Sequence, residues 1–409
     1  MDSSSDSDFI PSQIADEMQR RTRKERKFDE VEAALKDPKI PQVAPLSLGG
    51  LFNRITNLYP FGKAITRGDV VWLFDNTAYK PSRLGPWQAE FVAAVFEDEA
   101  KCRVVDIVAS VAEKIGLADD AEERDTVEER LLPFTWDIRA ARTVTAVQDG
   151  DSLKIGPTGM NGIATNVLRL SRQHKGSFVK TTAQVANGVE GILTMNTYFA
   201  GPEGWGIISD IDDTIKITTT SDPAGILRET FANDPAPVAG MPELYSDIKS
   251  FLPTDTPWFY LSASPYNLYP FLKTFRDEFY PPGTLILRDS SWKTVSGLLS
   301  ALTMGTEEYK VDRMHKINSW LPKRKLIVVG DSTQSDPEAY GEIYRTKPGW
   351  IKLILIRKVI DSAAVGLEEK NEPKRFERAF KGIPRDAWYV FEDPRECLAI
   401  VKDTVRSYS

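Results

Sequence analysis

The chain has almost none of the residues on which cysteine and histidine chemistry depend. Its 409 residues include two cysteines, Cys102 and Cys397, and two histidines, His174 and His315. The cysteines lie far apart with no paired spacing, which leaves no basis for a disulfide framework or a thiolate zinc site. Two histidines are too few for a histidine-rich metal centre and set aside most histidine-based triads. No apolar run approaches the roughly 20 residues needed to cross a bilayer. The opening MDSSSDSDF lacks the apolar stretch of a signal peptide, so the expected address is the cytoplasm or the cytosolic face of a membrane. A basic surplus is missing too. With 52 Lys and Arg against 59 Asp and Glu the net charge is −7, which argues against nucleic acid as a partner. Hydrolytic chemistry here has to come from carboxylates, lysine and metal.

The sequence does hold an ordinary globular balance, 41% hydrophobic and 27% charged, and its length predicts two or three domains. Residues 1–42 read as a disordered, charged tail. Within it RRTRKERKFDEVEAALKD carries Glu and Lys or Arg at helical spacings. Pro38 and Pro41 make a single P-x-x-P match, which leaves SH3-domain partners open. In residues 46–66 Leu51, Ile55 and Leu58 recur at helical spacing. Two readings stand: packing against the first folded domain, which comes first, and peripheral contact with a membrane surface.

Residues 43–200 read as a mainly antiparallel, sandwich-like β domain: short aromatic and β-branched runs separated by Asp149-Gly150, Gly156-Pro157 and Asn187-Gly188. A helix is expected at Val104 to Ile115. No catalytic cluster is visible there, and the expected role is scaffold, lid or targeting surface. Residues 201–409 change period. WGIISD, WFYLSAS, TLILRDS, KLIVVGD, KLILIRK and WYVFED alternate with helix-like stretches. Buried parallel strands read as near-continuous apolar runs, so the expected fold class is α/β, a doubly wound parallel sheet.

Ligands of such sheets bind beyond the carboxyl ends of the strands. There the sequence places Asp210-Ile211-Asp212-Asp213-Thr214, then Ser262, then Asp331 with Asp336 five residues on. Carboxylates converging on one edge repel one another unless a cation sits among them, and magnesium suits an all-oxygen site. These residues resemble the haloacid dehalogenase superfamily of phosphohydrolases. Asp210, Asp212 and Thr214 match its Asp-x-Asp-x-Thr motif, Ser262 its second motif, Lys310 its lysine, and Gly330, Asp331 and Asp336 its acidic loop. Lys316 and Lys323 compete with Lys310 for the lysine.

The resemblance implies roles. Asp210 is the nucleophile and Asp212 the acid and base, its backbone carbonyl also binding Mg2+ together with Asp210 and Asp331. Asp336 holds metal-bound water or orients Lys310. Ser262 and Lys310 neutralise phosphate oxygens, and Thr214 fixes the loop. On the residues alone, Asp213 and Thr214 also fit a cap for the next helix, and Asp336, before Pro337, a helix cap.

A closer similarity lies in SDIDDTIKIT, Ala239-Gly240-Met241-Pro242, YLSASPYNLYPFL, GDSTQSDPEAY and the upstream WLFDNTAYKP and WQAEFVAAVF. Together they resemble the fungal actin-patch phosphatidate phosphatase family, whose catalytic logic is lipin-like. That resemblance implies Mg2+-dependent conversion of phosphatidate in membranes to diacylglycerol, at cortical actin patches active in endocytosis. The chain ends at VKDTVRSYS without that family's long Pro-rich tail, so SH3-dependent recruitment stays open. Pro265, Tyr266, Leu268, Tyr269 and Phe271 are candidates for an apolar lip against acyl chains, with burial as the face of the next helix as the alternative, which comes first for Leu268 and Phe271. The short interval between the first two motifs predicts a modest insertion and an open site. Two other functions remain in play: a phosphatase for soluble or protein-bound monoesters, and a non-catalytic membrane or endocytic adaptor.

Overall fold

The computed structural model describes residues 11–35, 62–97, 104–116, 121–171, 178–289, 295–360 and 366–408. The segment proposed for membrane contact, 46–66, lies outside them as far as residue 61.

Six strands form a sheet in the spatial order Thr284–Arg288, Trp258–Pro265, Glu203–Asp210, Lys323–Asp331, Ile351–Arg357, Trp388–Phe391. Every neighbouring pair is parallel. These are the six runs expected from the sequence. Their continuous hydrophobicity has a direct cause: both faces of the sheet are covered. Ile207, Tyr260, Ile327, Val329, Leu353 and Leu355 turn to one apolar core. Ile208, Phe259, Leu261, Val328, Ile354 and Ile356 turn to the other. Each such side chain contributes about 1.5–3 kcal/mol on burial. In sequence order the first and fourth strands are neighbours in the middle, so the chain winds outward in both directions from that pair. The crevice at such a reversal is where doubly wound sheets bind ligands, and Asp210 and Asp331 end the two strands that border it.

Upstream, strands between Lys63 and Phe199 form an eleven-stranded sheet. It is mainly antiparallel, with the long strand Trp87–Glu97 pairing to Asp69–Leu73 and Ile163–Leu170. Its central strands also serve two cores. Val71, Leu73, Phe91, Ala93 and Val95 face the core of this unit. Val70, Trp72, Phe74, Ala94 and Phe96 face the core shared with the parallel-sheet unit. The expected helix is present at Val104–Ile115. A second at Ala121–Thr135 was not foreseen, because its sequence is highly charged and contains Pro133. This pair packs on residues 223–232, with Phe134 edge-on to Phe231 and Arg130 donating to the Asn233 carbonyl at 2.5 Å.

The tail expected over 1–42 is corrected for residues 11–35, which form helices Pro11–Glu25 and Phe28–Ala34. They are anchored, not solvated. Phe28 is fully buried. Arg23 turns inward to the Thr303 hydroxyl at 2.6 Å and to Glu32 at 2.8 Å. Gln19 donates to the Thr333 carbonyl at 3.1 Å. The charge run hid this contact because a buried arginine with partners looks the same in sequence as a solvated one.

Candidate active site

Strand Glu203–Asp210 ends on Asp210, and the chain then folds back on itself. Asp213 has φ +59°, a left-handed conformation that a non-glycine residue adopts only with compensation. Hydrogen bonds supply the compensation. Its carboxylate accepts from the backbone N–H groups of Thr218, Thr219 and Thr220 at 2.9, 2.7 and 2.7 Å and from the Thr220 hydroxyl at 2.6 Å. Arg357 donates to its carbonyl at 2.7 Å. Asp213 therefore ties down a loop and caps no helix; Asp222 caps the next one, accepting from Gly225 N–H at 3.0 Å.

The turn brings Asp210 and Thr214 inward, both fully buried. The Thr214 hydroxyl donates to Asp210 Oδ2 at 3.1 Å and lies 3.5 Å from Asp331 Oδ2, so Thr214 spans the two strands. Lys310, on helix Thr306–Trp320, is fully buried with its Nζ 2.7 Å from Asp210 Oδ1, 2.5 Å from Asp336 Oδ1 and 3.2 Å from Gln334 Oε1. The competition among lysines is decided by location. Lys316 points to Glu90 of the β unit at 2.5 Å, and Lys323 is exposed at the start of its strand.

Asp331 closes the neighbouring strand. Its Oδ1 accepts from Thr333 N–H at 2.5 Å and from the Thr333 hydroxyl. Asp336 begins helix Asp336–Thr346, but its side chain does not cap it: one oxygen meets Lys310 and the other accepts from Asp331 N–H at 3.1 Å. Gly330 permits this approach. A Cβ there would sit 2.7 Å from the Asp336 side chain and 2.8 Å from the Tyr340 ring, closer than any Cβ tolerates.

One ligand oxygen from each of Asp210, Asp331 and Asp336 falls within 4.8 Å of the others. Asp212 stands apart from this group. Its two oxygens accept from the Ser262 hydroxyl at 2.5 Å and the Thr218 hydroxyl at 3.0 Å. The Asp212 carboxylate is thus paired with the hydroxyl of the second motif and is not aimed at the other acids.

The electrostatics follow from burial with unequal charge. Burial pushes the Asp210 carboxyl well above its ordinary range; Lys310 opposes the shift and Asp336, Asp331 and Asp212 add to it. Burial and Asp336 push Asp331 up to about 6. Burial also raises Asp212, with the Ser262 hydrogen bond holding it back. Burial works against the charge on Lys310, but Asp210, Asp336 and Asp331 outweigh it and hold the ammonium above the ordinary lysine range. One lysine among three close carboxylates leaves negative charge in excess. That all-oxygen, charge-rich donor set fits a hard divalent cation such as magnesium.

Two expectations are corrected. The apolar lip is core: Tyr266, Leu268 and Tyr269 are at most 3% exposed, Pro265 is buried, and Tyr269 serves the β unit, its hydroxyl oxygen accepting from Asp75 N–H at 2.8 Å. Phe271 is half-buried between the cations of Arg130 and Lys216. The site is not open either, since Asp210, Ser262, Lys310, Asp331 and Asp336 have no exposed surface. Sequence reasoning also passed over residues that hold the site together. Lys216 is buried beside the Asp212 loop, donating to the carbonyls of Ile217 and Glu229 at 2.9 and 3.1 Å. Arg357 and Thr218 act on the same loop, and Lys370 and Arg375 on the loop 331–336. Arg357, Lys370 and Arg375 reach carbonyls distant in sequence, and no local motif marks them.

Comparison with known proteins locates the likeness in the same stretch. Residues 205–358 match the family described as phosphatidate phosphatase APP1, catalytic domain. Over 167 residues the chain is 33% identical to phosphatidate phosphatase APP1 of Saccharomyces cerevisiae (strain ATCC 204508 / S288c). The aligned stretch is 40% of this chain and spans 27% of that protein's length. The resemblance read from the motifs is thereby borne out for this part of the chain.

Proposed function

We propose, taking residues 205–358 as a catalytic domain of the phosphatidate phosphatase APP1 type, that this protein hydrolyses the phosphate monoester of phosphatidate to diacylglycerol with magnesium as cofactor. The observation that carries the reading is the convergence of Asp210, Asp331 and Asp336 around Lys310 where the sheet reverses direction.

In this reading Asp210 attacks phosphorus in line, forming an aspartyl-phosphate as the bond to the lipid oxygen breaks. Asp212 gives its proton to that oxygen, releasing diacylglycerol. Asp212 then takes a proton from the water that attacks the phospho-aspartate, which returns the Asp210 carboxylate and frees inorganic phosphate. The raised affinity of Asp212 for a proton is what the first of these steps needs, and its pairing with Ser262 keeps the carboxyl beside the second motif. Lys310 holds charge on the phosphate oxygens and on Asp210. Asp210, Asp331 and the Asp212 backbone carbonyl would hold the magnesium, with Asp336 orienting Lys310. The ion, when bound, offsets the charge that otherwise repels an anionic nucleophile from a phosphate dianion.

A second reading, a phosphatase for soluble or protein-bound monoesters, is favoured by one observation: the side chains expected to form an apolar lip are core residues. Phosphate release from phosphatidate in detergent micelles, set beside release from soluble monoesters, separates the two. Release from micelles that stops with Asp210→Asn is expected. Release from soluble esters alone would transfer the assignment to the second reading. Work on a lipid in a bilayer would place the protein at a cytosolic membrane surface.

A further inference from the structure

Three consecutive backbone carbonyls of the loop between Asp331 and Asp336 are each held by a buried cation or an amide from elsewhere in the chain. Arg375, on helix Pro373–Ala379, donates to the Ser332 carbonyl at 2.5 Å and to the Gln334 carbonyl at 2.6 Å. Lys370 donates to the Thr333 carbonyl between them at 2.7 Å. Gln19 of the first helix shares that carbonyl at 3.1 Å. Arg375 is 2% exposed. Its remaining donors go to Glu338 at 2.9 and 2.8 Å and to the Lys370 carbonyl at 3.0 Å. All of its hydrogen-bonding capacity is therefore directed at the loop, at the helix that carries Asp336 or at its own clamp partner.

This arrangement is stronger than loop anchoring requires. A loop of six residues beginning and ending on carboxylates that repel each other tends to open, and opening separates Asp331 from Asp336. A planar guanidinium bridging two carbonyls two residues apart fixes both the spacing and the twist of the backbone between them. Arg375 also lies close enough to interact with the carboxylates: burial opposes its charge, and Glu338, Asp331 and Asp336 hold it. Arg375 and Lys370 lie beyond the stretch matched to the family, which ends at residue 358.

We infer that Arg375, with Lys370 beside it, is a positioning residue that presets the Asp331–Asp336 loop for a divalent cation. Arg375 touches neither substrate nor metal; it acts through the Ser332 and Gln334 carbonyls. The inference rests on the proposed magnesium site and sharpens it, because it assigns metal affinity to residues outside the motifs.

The test compares wild type with Arg375→Lys, Arg375→Gln and the double variant Arg375→Gln, Glu338→Gln, all in the full chain. Two quantities are read: the magnesium concentration giving half-maximal phosphate release, and the rise in melting temperature when magnesium is added without substrate. Loss of an outer contact to metal ligands typically weakens metal binding by about 10–100-fold. Arg375→Gln should raise the half-saturating magnesium by that factor and shrink the magnesium-induced melting shift, with the rate at saturating magnesium falling less. Arg375→Lys, which keeps charge but not the fork, should fall between. The double variant removes both buried charges, so its metal-free melting temperature should recover while its magnesium requirement stays high. If the variants melt lower but keep the wild-type magnesium requirement, Arg375 is only structural and the inference is overturned. If wild type itself shows no magnesium-dependent melting shift, the metal reading fails, which is a separate result.

Discussion

Two buried carboxylate clusters in this molecule are built to opposite rules. At the contact between the two sheets, Asp75 meets Arg276 at 2.7 Å and Lys273 at 3.0 Å, and its other oxygen accepts from Asn196 N–H at 2.7 Å. Two cations and a backbone donor surround this acid, and the same two cations also pair with exposed Asp277, so charges balance. At the reversal point of the parallel sheet, three acids lie within 4.8 Å of one another around one lysine. The first cluster is complete and holds the β unit to the helix Tyr269–Phe279. The second has charge left over. Folding alone gives no reason to bury an excess of negative charge, so the difference separates a joint from a site.

The sharpest way to break this comparison is to neutralise one acid in each cluster. Asp210→Asn removes the proposed nucleophile, and phosphate release should fall by about a thousandfold or more. The same change relieves repulsion, so the metal-free melting temperature should hold steady or rise. Asp75→Ala should do the reverse. Buried Arg276 then keeps Asp277, which is exposed, and the Gly283 carbonyl as partners, and losing Asp75 should cost about 1–3 kcal/mol, read by denaturant unfolding. If Asp210→Asn destabilised as much as Asp75→Ala, the two clusters would not differ in kind.

The pH dependence carries a sign. The Asp331 carboxyl is raised to about 6 in the fold from an ordinary value of 3.8. Between those two values the folded state binds the proton and the unfolded state does not, so stability falls as pH rises through that window. Metal-free protein should therefore lose on the order of 1–3 kcal/mol from this group between pH 4 and 6, and Asp331→Asn should flatten the change. Stability that rises over the window in wild type and variant alike would count against charge excess at the site.

The smallest effect on activity is expected at Lys316, one of the three lysines that competed in the sequence. Lys310→Met should silence the enzyme. Lys316→Met breaks the part-buried pair with Glu90 and the contact of its ammonium with the Trp320 ring and should cost about 1–3 kcal/mol of stability, with activity within about twofold of wild type by the same assay.

Much of the catalytic edge was legible because buried parallel strands need apolar side chains on both faces. Ile207, Ile208, Val328 and Val329 announce their strands, and the polar residue ending each run announces the site. The rest depends on contacts that leave no local pattern. Tyr266 and Tyr269 looked like a lip since tyrosines suit both a mouth and a core; only the β unit lying against them decides for the core. Arg23 belongs to what reads as a charged tail and Arg375 to no motif at all; their partners, Thr303 in one case and Ser332 and Gln334 in the other, come into place only by folding. The helix Ala121–Thr135 has so little segregation of apolar from charged residues that its period is hard to see, and Pro133 within it argues for a break.

Calorimetric titration of magnesium into metal-free protein puts the charge excess to direct trial. Wild type should bind one ion per chain, with binding lost in Asp331→Asn and kept in Asp75→Asn. Absence of binding in wild type, or binding that survives Asp331→Asn unchanged, would contradict it.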